Sequence, residues 1–139
     1  MTRQQEKVVL QRLSTIKAQK MDALCKERNE RARGIASVWR RLADHIEKHA
    51  KTASSLLAKV LEDMRSGLTC GISMYVRSLP EYGKFYKAEQ AERAELDREF
   101  AARENKLSAA AENMAIQLVL GNDADEVIAL LEQFGKEKF

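Results

Sequence analysis

Two histidines, His45 and His49, stand four residues apart. On an α-helix that spacing puts both imidazoles on one face, where they could chelate zinc. The metalloprotease arrangement needs Glu directly after the first His, and here that position is Ile46. No third ligand is near in the sequence, so a solvated or bundle-edge histidine pair is expected, and no metal or other cofactor. Cys25 and Cys70 lack a CxxC neighbour. They are expected to be buried as small hydrophobes in a reducing compartment. The acidic pairs Glu62-Asp63 and Asp97-Glu99 sit in charged stretches suited to pairing with Lys and Arg one helical turn away. There is no GxSxG and no glycine-rich phosphate loop. The chain is therefore not expected to be an enzyme, nor to hold a small-molecule substrate.

The basic side chains are the other chemistry on offer. Residues 17–41 carry eight Lys/Arg against three Asp/Glu. Arg28, Arg31, Arg33, Arg40 and Arg41 on one helical stretch could line the phosphates of a nucleic acid or an anionic membrane. The segment resembles no helix-turn-helix, RRM or zinc module, and acids interrupt it where a bZIP basic region has none. The bland expectation is a solvated face partly neutralised by acids elsewhere. The charge distribution supports that: residues 1–66 have a net charge of +7 and residues 67–139 of −4.

These residues must be carried by helices. The 139 residues include one proline and six glycines, too few for the turns of a β-sandwich or barrel. Charged residues make up 32% and aromatics 6%, a balance that suits long helices. No stretch approaches the ~18–20 apolar residues of a membrane span. Residues 1–21 hold five basic residues and one acid, as a transit peptide would, but they run on into charged helix. A cytoplasmic location is expected.

The apolar residues Ile35, Val38, Leu42, Ile46, Ala50, Ala53, Leu57, Val60 and Met64 recur in steps of three and four, one stripe on a helix. Residues 2–66 are expected as one long helix with a weak point near Gly34, or as two helices. A single helix would span roughly 95 Å. Residues 67–80 form an apolar connection opened by Gly67 and closed by Pro80, with Ser78 a candidate N-cap. A second long helix is expected over 81–120 and a short one over 124–134, after a break at Gly121-Asn122.

The fold class that follows is all-α: a long antiparallel, coiled-coil-like helical hairpin with a short C-terminal helix, associating into a bundle. In this register helix 81–120 runs beside residues 66 to about 27, and Gly121-Asn122 sits opposite residues 26–34. Two narrow stripes do not enclose a core, so help from a second molecule is expected, either a second copy or another protein. The expected interface is Leu42, Ile46, Leu57, Val60, Met64, Ile72, Tyr75, Tyr82, Phe85, Leu96, Phe100, Leu107 and Met114. The function expected on this reading is a protein–protein interaction module, with binding of anionic membrane or nucleic acid through Arg28, Arg31, Arg33, Arg40 and Arg41 as the alternative.

Overall fold

The computed structural model describes residues 2–51, 54–67, 77–121 and 123–139. The described residues form five α-helices and no strand: α1 (Arg3–Arg33), α2 (Val38–His49), α3 (Ser55–Arg65), α4 (Pro80–Leu120) and α5 (Ala124–Lys136). The fold is an all-α helical hairpin with a short C-terminal helix folded back. It divides into two compact units, residues 1–30 with 97–139, and residues 31–96.

The stretch 2–66 is three helices, one more than the stripe suggests. The weak point at Gly34 is a real break, because α1 stops at Arg33 and Ser37 starts α2 by accepting a hydrogen bond from the Arg40 N–H at 3.2 Å. A second break falls between His49 and Ser54. Its residues include no large apolar side chain that packing could hold in register. Ser54 caps α3 by accepting from the Leu57 N–H at 3.1 Å. In the sequence the spacing of threes and fours runs on across the second break, because a stripe records side-chain type and not whether the axis is continuous.

Helix α3 ends as its glycine implies. Gly67 has φ 79°, and its N–H donates to the Met64 carbonyl at 3.3 Å. A β-carbon there would meet no neighbour, so the cost of Gly67→Ala is purely conformational. A loss of about 1–2 kcal/mol is expected, read as a lower denaturation midpoint at unchanged slope. Pro80 opens α4. The rest of the apolar connection, including Cys70, Ile72 and Tyr75, lies outside the described residues.

In the unit of residues 1–30 and 97–139, α4 runs antiparallel to α1. Asp97 meets Arg28, and 23 residues further along, roughly 35 Å, α4 ends beside the start of α1. Helix α5 then turns back and runs parallel to α1. Its first turn lies by Gln4, Gln5 and Val8, and its last carbonyls lie by Lys20. The Gly121 break therefore sits at the first turns of α1, not opposite residues 26–34. The register differs because α2 and α3 fold on each other, so residues 34–66 take up far less of the length of α4 than a straight helix would. Helix α5 also continues through Gly135 to Lys136, two residues beyond the expected end.

The third helical segment supplies what a two-helix hairpin lacks. Leu13 and Leu24 of α1, Phe100, Leu107, Ala111 and Leu118 of α4, and Val127, Leu131 and Phe134 of α5 are all buried by this chain alone. In the unit of residues 31–96, Val38, Leu42 and Ala43 of α2 pack with Leu61 and Met64 of α3, and Tyr82 and Phe85 of α4 pack against them. Each unit encloses its own core without a second molecule.

Candidate functional site

The residues that could do chemistry do not converge. The His45 and His49 rings face each other at 4.5 Å between centroids, and His45 meets the edge of Phe85 at 5.8 Å. Among the described residues no group of three His, Cys, Asp or Glu could hold a metal ion. Cys25 is a free, exposed thiol, which corrects the expectation of burial. It follows the buried Leu24, and one residue on a helix turns the side chain about 100° away from the core.

The basic segment is largely committed within the chain. Arg28 places Nε at 3.2 Å and a terminal nitrogen at 2.5 Å from one oxygen of Asp97. Arg41 binds Glu92 and donates to the Ala36 carbonyl at 3.0 Å. Arg31 also has a partner, while Arg33 and Arg40 are exposed. Acids of α4 therefore meet arginines of the first helices, as the opposed charges of the two halves of the chain imply. Glu27 adds a reverse pair, accepting two hydrogen bonds of 2.9 Å from Arg103.

The hydrogen bond and charge of Asp97 raise the Arg28 pKa. The hydrogen bonds that Arg65 donates to Glu47 and then to Asp44 raise its own pKa. Because both shifts are upward, the two guanidinium groups keep their charge through the ordinary arginine range and lose it only in strong alkali. All are solvent-accessible, where such pairs contribute little.

The expected interface residues sit inside the chain's own cores. In the unit of residues 31–96, Leu42, Met64 and Leu96 are buried, and Ile46, Leu57, Val60, Tyr82 and Phe85 are half-buried. In the other unit Phe100 and Leu107 are buried and Met114 is half-buried. Ile72 and Tyr75 lie outside the described residues. Trp39 stacks at a tilt on Tyr82 at 5.7 Å, with the Arg77 guanidinium 5.7 Å from its ring. These aromatics close the end of their unit's core.

Apolar surface also lies in water outside these cores. A groove of about 250 Å³ runs between the first turns of α1 and α5, lined by Gln4, Gln5, Val8, Val9, Ala124, Val127 and Ile128. Val8 is 55% exposed and Ile128 47%. At the same end of this unit, α4 exposes Ile116, Val119 and Leu120. A sequence signal for this exists in the apolar runs Val8-Val9-Leu10, Leu118-Val119-Leu120 and Val127-Ile128. Successive helical residues are about 100° apart, so a run of three sweeps some 200° and cannot lie wholly against a core.

Two further cavities of about 260 Å³ are more polar. One is crossed by Lys20, Glu27 and Arg103, and the other is flanked by Glu47 and Arg65. No protein-family model, curated protein or solved structure matches the chain.

Proposed function

We propose that this chain is a non-enzymatic helical interaction module that docks a protein segment on the apolar groove between α1 and α5. The observation that carries the reading is the exposure of Val8 and Ile128 on the two walls of that groove. Leaving a large aliphatic side chain in water forfeits about 1.5–3 kcal/mol that burial would supply. An apolar cleft with a polar surround is the usual mark of a protein-binding surface. The basic segment offers less, because Arg28 and Arg41 already have carboxylate partners. An exposed free thiol at Cys25 suits a reducing compartment, which supports a cytoplasmic location as part of this reading. No described helix is long and apolar enough to cross a membrane.

A selection of random amphipathic helical peptides on the immobilised protein tests the reading. Sequences with apolar residues at i, i+3 or i+4, and i+7 should be enriched. Ile128→Asp should weaken their binding by about tenfold or more, because the peptide's apolar face would then desolvate a carboxylate. Leu56→Asp, at a position 70% exposed on α3, should leave it unchanged. No enrichment, or equal binding by both variants, would overturn the assignment.

A further inference from the structure

Resting on the docking groove just proposed, we infer that its occupant is a second copy of this chain, joined by a two-fold axis that runs along the groove. The two walls carry matching patterns. Helices α1 and α5 run parallel there, with Gln4, Gln5 and Val8 beside Ala124 and Ile128. One turn beyond Val8 on the same face of α1 is Arg12, and one turn beyond Ile128 on α5 is Glu132. Both charged side chains are exposed. Each wall thus reads apolar and then charged in the same direction, with opposite sign.

A two-fold axis along the groove keeps levels and exchanges walls. It sets Val8 of one copy over Ile128 of the other, and Arg12 over Glu132, each contact occurring twice. The other in-plane axis reverses the levels and sets α1 over α1 and α5 over α5, so that the charged level of each wall meets Gln4 or Ala124. The charges select the first arrangement. A groove of this size buries less than a standard interface, so association is expected between micromolar and millimolar concentrations.

Sedimentation equilibrium across that range tests it, alongside the peptide selection above. The wild-type mass should double with concentration. Arg12→Glu sets Glu over Glu, and Glu132→Arg sets Arg over Arg. Each alone should weaken association about tenfold. An equal mixture of the two variants restores both opposite-charge pairs and should recover the dimer as a heterodimer. Val8→Asp should abolish it at unchanged helicity.

A wild-type chain that stays monomeric while helical peptides still bind would mean that another protein fills the groove, overturning the inference and leaving the docking reading intact. A dimer indifferent to both charge reversals would also overturn it, since the copies would then meet elsewhere. A monomer that binds no peptide would remove both proposals.

Discussion

Leu107→Asp is expected to leave a chain that cannot hold the unit of residues 1–30 and 97–139 folded. Leu107 is fully buried in the middle of the α4 stripe, between Phe100 and Leu118. A carboxylate there loses its water and gains no partner. Ionised or protonated, it would remove about 4–5 kcal/mol or more, comparable with the whole stability of a small domain. The measurement is far-UV circular dichroism through a thermal melt, with a dye that reports exposed apolar surface. Reduced helicity and dye binding at room temperature are expected. The outcome separates a core from an interface. Were Leu107 instead buried only against a second molecule, the variant would be a folded monomer with unchanged helicity.

Phe134→Ala carries the second large effect, about 3–5 kcal/mol. The ring is fully buried and lies 6.0 Å from that of Phe139, and Lys20 Nζ stands 5.8 Å from its centroid. The same ammonium donates to the Gly135 carbonyl at 3.1 Å and to the Glu137 carbonyl, two acceptors at the end of α5. Phe134 thus anchors the end of α5 against α1. Amide hydrogen exchange should show lost protection across residues 127–136 at a lower global stability. Wild-type exchange in those amides would mean that α5 does not close this core.

Much of the architecture was legible because helical burial is periodic. Of the α4 residues that the spacing groups together, Leu96, Phe100 and Leu107 are buried, and Tyr82, Phe85 and Met114 are half-buried. Gly67 adopts the left-handed conformation that its place after α3 implies, and Pro80 opens α4. Asp123 caps α5 by accepting from the Asp125 N–H at 3.1 Å. Backbone chemistry of this kind is local, so residue type alone reports it.

The exposed apolar groove was far less legible. Periodicity identifies the residues that leave water, and those are the residues a structure-forming core and a partner interface share. Leu42, Phe100 and Leu107 were expected to face another molecule because two helices offer them no third side. Helix α5 supplies that side in one unit, and the fold of α2 on α3 supplies it in the other. Val8 and Ile128 stay in water because each sits off the buried stripe by about one residue's turn.

By itself the sequence determined that the chain is helical, which residues form the main apolar stripes, and that Gly34, Gly67 and Pro80 bound helices. Those are properties of neighbours along the chain, set by backbone sterics and side-chain period. Only the tertiary structure decided the register of α4 against α1, the return of α5 along α1, and which apolar residues stay in water. Register depends on contacts between residues far apart in the chain. A stripe that repeats every three or four residues offers several nearly equal alignments, and the matched pairs Arg28–Asp97 and Arg103–Glu27 belong to the alignment the structure adopts.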